Sequence, residues 1–528
     1  MPDVLTDPSS ACAPSPQTRR PDVVVAWLPA LVVGLVWLGM FASDLWLIRA
    51  YGRNVPYLDD WELVPQLTGQ NPVDLTWLFA QHNEHRIPLP RLLLLGLYRA
   101  TGLDFRAGMY FNAIALAALA LAMMLVARAV RGRASLFDAV FPLLLLNWGH
   151  WQNLLWSWQV QYICSTGLAG AILVLMVLRG NRLTTLTGFV AGCCVALLPL
   201  CGANGVALAP LLALWLGWRG WMLCRSGGPG ARLTGGWMIF AALAALLGVL
   251  LYWVGYHTIQ QPTRQELDVR LTSSVKFVGL AFGTASPPWW LETLLKEAVL
   301  PFAVLGILML CLRRPLRGND FLAWLLGAAI LRGLVYECQC IGLRPSLPSA
   351  QVVWGTVGVV ATMAGCVALA VTLFRRPAER PRAAGLLFFV AALAGFALAF
   401  GWARSGVVGI PHYVDRYLTL AILFPCWVAL VVELYSGAAR RFTEALLLGL
   451  SLALAVGSIP EALEQGRAQA TAIDSFLQEV RKGLPPSAIA QRQSGVFSQW
   501  RQAYLAGCML LLRDAGHPVF RDLPDGPP

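Results

Sequence analysis

The sequence predicts an all-α protein, a polytopic bundle of transmembrane helices, and three observations predict it. Hydrophobic residues make up 57% of the 528 and charged residues only 13%, about half the charged share of a soluble domain; the mean hydropathy is +0.61. Apolar runs near the ~20 residues that a helix needs to cross hydrocarbon, at a rise of ~1.5 Å per residue, recur along the chain. The net charge of +12 is almost all arginine, since lysine stands only at 276, 296 and 482. Those arginines sit in short clusters between apolar runs, which is the pattern of membrane orientation rather than of nucleic-acid binding.

Taken in order, residues 1–22 are rich in Pro, Ser and charge and read as a disordered cytoplasmic tail. The run that follows, VVVAWLPALVVGLVWLGMFAS, exceeds the ~7–15 residues of a signal-peptide apolar core, so it reads as a retained anchor. The length rule then gives thirteen spans, near 23–47, 108–127, 135–149, 157–178, 184–200, 204–222, 236–256, 298–312, 320–336, 351–374, 383–402, 416–435 and 443–459. Segment 273–291 is apolar but carries Pro287 and Pro288, and reads as interfacial or re-entrant. The clusters Arg19/Arg20, Arg128/Arg131/Arg133, Arg179/Arg182, Arg219/Arg225/Arg232, Arg313/Arg314/Arg317, Arg375/Arg376/Arg380/Arg382 and Arg440/Arg441 are each two spans apart. All seven therefore fall on one face, expected to be cytoplasmic, with the N-terminus inside and the C-terminus outside a bacterial inner membrane. The bundle is expected over 23–459, with two large segments on the outer face: a first loop over 48–107 and a small helical C-terminal region over 460–528.

Most of the twelve cysteines lie inside apolar runs and behave as small hydrophobes, and Cys338 and Cys340 lack the spacing of a redox or zinc pair. All six histidines map to the outer face, so chemistry is expected there.

Four constellations on that face carry polar groups at a depth where they are expensive. The stretch YLDDWELVP places Asp59, Asp60 and Glu62 directly after the first span. One Asp there serves to cap a helix starting near Trp61; a second is left over. Segments 73–80 and 89–100 suit short helices in the interface plane, and HNEHR between them holds His82, Glu84, His85 and Arg86. These bind polar substrate groups, pair with one another, or form a polar turn; two histidines and one acid are a weak metal pattern. NWGHWQNLLWSWQVQY combines His150, Gln152, Asn153, Gln159 and Gln161 with tryptophans. An interfacial belt explains the indoles. Amides entering a span need internal partners or a ligand, and indoles with amides also suit a sugar. Finally Arg404, His412, Asp415, Arg416 and Tyr417 meet an outer boundary. The arginines either snorkel to headgroups or hold a phosphate.

An acidic pair in LDDW just after the first span, helices in a long first outer loop, about thirteen spans and an outer C-terminal region together resemble the glycosyltransferase C superfamily. The resemblance implies an enzyme that takes a sugar from a polyprenyl-phosphate carrier and transfers it, outside the cytoplasm, to a glycan, lipid or protein acceptor. It implies that Asp59 or Asp60 is the catalytic carboxylate, and it makes Arg404 and Arg416 candidates for the carrier phosphate. The second outer loop lacks the further acid that helps several such enzymes hold a divalent metal, so no cofactor is expected, with a divalent metal left open. A polysaccharide polymerase or ligase, a lipid-linked glycan flippase and a non-catalytic scaffold are the alternatives. Convergence of the carboxylates and arginines on one outward cavity separates an enzyme from a scaffold.

Overall fold

The computed structural model describes residues 23–180, 183–258, 265–282, 350–405, 415–435, 440–493 and 501–525. Among them the chain is helical, with one isolated antiparallel bridge, between His82 and His85. The expected spans 298–312 and 320–336, Arg182, His412, the 1–22 tail and all of 283–349 lie outside the described residues.

The principal helices are α1 (Val23–Tyr51), α2 (Pro88–Ala100), α3 (Arg106–Arg131), α4 (Val160–Arg179), α5 (Thr185–Leu197), α6 (Ala203–Ser226), α7 (Pro229–Tyr252), α8 (Leu267–Gly279), α9 (Ala350–Arg375), α10 (Arg380–Arg404), α11 (Leu423–Tyr435), α12 (Arg440–Gly457), α13 (Ile459–Arg481), α14 (Pro486–Arg492) and α15 (Gln502–Asp514). Nine helices among the described residues are long and apolar enough to cross a membrane. Two of the expected spans fall short of that. Segment 135–149 is broken into turns at Leu136–Ala139, Val140–Leu145 and Trp148–His150, with Pro142 in the middle and residues 137–147 buried throughout. Enclosed by protein, it does not need the unbroken backbone pairing that lipid demands. The other, Thr185–Cys201, is a single short apolar helix.

The helix ends sort into two sets. At one end Arg131 bonds Asp138 at 2.7 Å and Glu433 at 2.8 Å, and Arg440 bonds the same Glu433 at 2.8 Å. Arg219 donates to the carbonyl of Gly180 at 2.9 Å, and Tyr435 donates to Glu379 at 3.0 Å. This end carries the described arginine clusters. At the other end α3 and α4 begin side by side, where Ser157 Oγ donates to the carbonyl of Phe105 at 2.5 Å. The two helices run parallel from there, a Cβ at Gly108 meeting Ser157 and one at Gly170 meeting Leu119.

The first outer loop folds back on the bundle. It holds a 3-10 turn (Leu58–Leu63), one helical turn (Leu75–Leu78) and α2. Ile87, Leu94, Leu95 and Tyr98 of this loop are buried with Trp61, Leu63 and Val64. The same core takes in Phe476, Leu477, Met509, Leu512 and Phe520 from the C-terminal helices. α12 leads directly into α13, with backbone bonds from Ser458 to Leu454 at 3.0 Å and from Ala462 to Ser458 at 3.1 Å on either side of Pro460. The combined 39-residue helix is roughly 58 Å long, about twice the hydrocarbon thickness. Its second half therefore projects past the bundle and carries the C-terminal region onto the loop.

Candidate functional site

Leu58–Leu63 is the part of the first loop that presents the acids. It opens on Leu58 with φ 48, a left-handed conformation that a leucine rarely takes. Burial of the turn's own Trp61 and Leu63, both fully enclosed, holds it there. Such strained residues concentrate at functional sites; Asn83, in the facing loop, has φ 47 as well.

The turn separates the two aspartates. Asp60 points inward and is fully buried. Its carboxyl accepts from the backbone N–H of Tyr57 at 3.2 Å and from the hydroxyl of Tyr98 at 3.3 Å. Burial pushes its pKa well above the usual carboxylate range, against those donors. Asp60 thus closes the turn from inside. Asp59 lies on the wall of a cavity of about 270 Å³.

The wall of that cavity also includes His82, Glu84, His85, Gln159, Gln161, Arg404, Arg416 and Tyr417. Segments far apart in sequence thus meet there: the first loop, the turn before α4, the end of α10 and the turn before α11. Arg404 and Arg416 both lie against the Tyr417 ring, their guanidinium carbons 5.9 and 5.3 Å from its centre. Glu84 pairs with Arg404 at 3.2 Å, and its carbonyl accepts from the hydroxyls of Tyr252 and Tyr256 at 3.0 and 3.3 Å. The 81–86 loop is thereby strapped to the end of α7. Buried polar atoms without a protein hydrogen-bond partner collect on the wall: Nδ1 of His85, Oε1 of Gln159, Oε1 of Gln161 and Nε of Arg416. Buried polar groups are almost always paired, so these four atoms are open to a polar partner.

Glu62, Arg86, His150, Gln152 and Asn153 stand behind the wall. Glu62 pairs with His82 and with Arg91. Gln152 accepts from the backbone N–H of Arg416 at 3.2 Å. Asn153 donates to the carbonyl of Arg416 at 2.9 Å and to the Thr419 hydroxyl at 2.6 Å. His150 meets that hydroxyl at 2.8 Å. Gln152 Oε1 and Asn153 Nδ2 thus hold the backbone and the turn around Arg416, and so fix where its guanidinium stands. Nε of Arg86 is buried without a partner, away from the wall.

Sequence reasoning passed over Arg91, Tyr98 and Thr419. Arg91 is 1% exposed and donates to the carbonyls of Trp77, Leu78 and Ala80 at 2.6, 3.1 and 2.8 Å. A signal for it was present. Residues 91, 94, 95 and 98 share one face of α2, and the other three are Leu, Leu and Tyr. An arginine on a buried helical face requires partners.

The two histidines of the loop are driven apart. Burial lowers the pKa of His85 to about 3, and the charges of Arg404, His82 and Arg416 act in the same direction. Burial works the same way on His82, but bonds to Asp59 and Glu62 outweigh it and raise the value to about 9. At neutral pH one is an imidazole and the other an imidazolium. Among the described residues no group of three or more His, Cys, Asp or Glu side chains is arranged to hold a metal ion.

A second, apolar cavity of about 620 Å³ lies among α8, α9, α10 and α11, lined by residues such as Val278, Met363, Leu387, Ala394, Leu398 and Phe424. Leu398 and Arg404 belong to the same helix, less than two turns apart.

The chain matches no protein family profile and no curated protein. Among solved structures it resembles the oligosaccharyltransferase of the archaeon Archaeoglobus fulgidus. The apo crystal structure of that enzyme aligns with a TM-score of 0.43 at 13% identity, over 91% of this chain and 61% of that one. A complex of the same enzyme, AglB, with an inhibitory peptide and a dolichol-phosphate aligns with a TM-score of 0.43 at 13% identity, over 90% and 61%. The complex with zinc and sulfate gives 0.39 at 11%, over 90% and 57%. The chain thus spans about three fifths of the length of that enzyme, and the chemistry of its site is read from its own residues.

Proposed function

We propose that this protein is a membrane glycosyltransferase that moves a sugar from a polyprenyl-phosphate carrier to an acceptor hydroxyl on the outer face of the membrane. The observation that carries the reading is the cavity itself. Asp59, two guanidinium groups and several unpaired amide and imidazole atoms share its wall, at the end of the bundle opposite the arginine clusters.

In the proposed step the Asp59 carboxylate accepts the proton of the acceptor hydroxyl while that oxygen attacks the anomeric carbon. The bond from that carbon to the phosphate oxygen breaks, and the carrier phosphate leaves with the electron pair. Arg404 and Arg416 receive the charge, since guanidinium matches phosphate in both charge and hydrogen-bond geometry. Direct attack inverts the anomeric carbon. Gln159, Gln161 and His85 offer hydrogen bonds to sugar hydroxyls. The apolar cavity along α10 suits the isoprenoid tail, so a lipid lying there brings its phosphate toward Arg404.

Asp59→Asn is expected to abolish transfer while the protein still inserts and folds. The measurement is a comparison of the glycolipids and envelope polysaccharides of a deletion strain carrying the wild type or the variant. Restoration of the missing glycan by Asp59→Asn removes the assignment.

A further inference from the structure

The turn that carries Asp59 poses an electrostatic problem. In a 3-10 helix residues i and i+3 eclipse, so Asp59 and Glu62 project from the same side of Leu58–Leu63. Two carboxylates stacked in a largely buried place repel unless a cation joins them. His82 does so. Its Nε2 is 3.3 Å from Asp59 Oδ1, and its Nδ1 meets Glu62 Oε2. A neutral imidazole has one N–H and can serve one carboxylate; serving both requires both ring nitrogens protonated. Asn83 Nδ2 also stands 3.0 Å from Nε2; with that ring nitrogen a donor, the Asn83 amide must turn over so that its oxygen accepts, an assignment that heavy-atom positions leave open. On its far side Glu62 is held by Arg91.

We propose that His82 is the positioning residue of this site: a cationic bridge that fixes the Asp59 carboxylate at the cavity wall, locked from behind by Glu62 and Arg91.

The bridge is braced on every side. His82 and His85 exchange backbone hydrogen bonds, both at 2.8 Å. The His82 ring lies 5.0 Å from that of Trp158 at 60°. Side-chain exposure is 11% for His82 and 17% for Glu62. Held as an imidazolium, His82 has no free site for an acceptor's proton, so it does not compete with Asp59 as the base. Its work is to aim that base and to keep the turn from springing apart. The titratable groups around it are Asp59 and Glu62 from the 3-10 turn, Glu84 and the neutral His85 from its own loop, Arg404 from α10 and Arg416 from the turn before α11. The two arginines oppose the imidazolium, and Glu84 is engaged with Arg404. Removing Glu62 therefore leaves Asp59 as the one adjacent carboxylate against two guanidinium groups.

The bridge stands on geometry alone, while its bearing on rate rests on the glycosyltransferase reading, and two measurements keep these apart. In the first, the purified full-length protein in lipid nanodiscs is treated with diethyl pyrocarbonate, which attacks neutral imidazole. Modification of His82 is followed against pH by fragment mass spectrometry. The expected midpoint is about 9 in the wild type and lower by about a unit or more in Glu62→Gln. A wild-type midpoint near the ordinary ~6.5, or no change in Glu62→Gln, overturns the bridge. In the second, the glycan lost in the deletion strain is quantified for His82→Gln and His82→Lys at matched protein levels. His82→Gln is expected to lose transfer by ~100-fold, the scale of a reacting group misplaced by an ångström, and His82→Lys, which keeps a cation, to regain part of it. Equal activity in the two variants overturns the positioning role. A wild type with the expected midpoint that transfers no lipid-linked sugar supports the bridge and removes the glycosyltransferase reading instead.

Discussion

At the scale of single residues, the two adjacent aspartates differ because one turn of 3-10 helix points them in different directions. Asp60 supplies acceptors to Tyr57 and Tyr98, and Asp60→Ala removes both and leaves a void at a fully buried position. Loss of about 1–3 kcal/mol is expected, read as a lower denaturation midpoint in detergent. The loop histidines give a second prediction. An ordinary histidine titrates near 6.5. His82, at about 9, holds its proton in the folded state where the unfolded chain has lost it. Its contribution is therefore complete below about 6.5 and is lost as pH rises through 9. His85, at about 3, behaves in the opposite way. The unfolded chain takes up its proton between about 6.5 and 3, so stability falls as pH drops through that window. His517, lowered by burial to about 4, adds to the acid side. Thermal stability is expected to peak near pH 6.5, and Glu62→Gln should flatten the alkaline limb more than the acid limb.

At the scale of elements, close approach of α3 and α4 positions the turn that carries Trp158 and Gln159. A Cβ at Gly108 would stand 2.6 Å from Cβ of Ser157 and 2.9 Å from Leu94, so a side chain there pushes the Ser157–Gln159 turn away from α3. Gly108→Val is expected to destabilise by about 1–3 kcal/mol, as overpacking does. It should also reduce transfer more than the comparable change Gly170→Val, whose neighbour is the mobile end of Leu119; in vivo glycan levels at matched expression decide this. The broken segment 136–150 shows why element boundaries were hard to read. Its residues are as apolar as those of a span, but Pro142 interrupts it, and burial on all sides replaces the continuous helix that lipid would require. Likewise, the sequence places a boundary near residue 459, where Pro460 stands. Pro460 sits in the first turn of α13, where a missing N–H is tolerated, and the turn at Ser458 lets α12 lead into α13 with one backbone bond lost.

At the scale of the whole molecule, the C-terminal region and the first loop share one core. Trp61 is fully buried, with ring centres 6.3 Å from Phe476 and 6.1 Å from Phe520. Removal of residues 502–528 should expose Trp61, red-shift its fluorescence, sensitise the 54–68 segment to protease and abolish transfer, although no residue removed touches the cavity. The pair Arg53–Asp474, at 2.7 Å but with side chains 25% and 44% exposed, is expected to add little by comparison. At the other end, Arg131 and Glu433 are paired with side-chain exposures of 3% and 1%. Arg131→Ala takes the guanidinium partner from buried Asp138 and leaves Glu433 with Arg440 alone; it should cost about 3 kcal/mol with the cavity's chemistry unchanged in whatever protein folds.

The sequence by itself determined the helical class, the positions of the long apolar helices, the collection of the described arginine clusters at one end and the segments from which polar groups emerge at the other. Those properties are local or additive. Hydropathy over twenty residues and the spacing of charges survive without knowledge of neighbours. Only the tertiary structure decided that Asp59 faces the cavity and Asp60 the core. It also decided that His82 joins Asp59 to Glu62 and that a half-buried helix contributes Arg91. Gln152 and Asn153 turned out to hold the backbone of Arg416, while Gln159 and Gln161 stand open on the wall. Each of these depends on contacts between segments tens to hundreds of residues apart. In a buried site, moreover, the charge state of a group is set by which neighbours it meets, and a linear sequence does not record that.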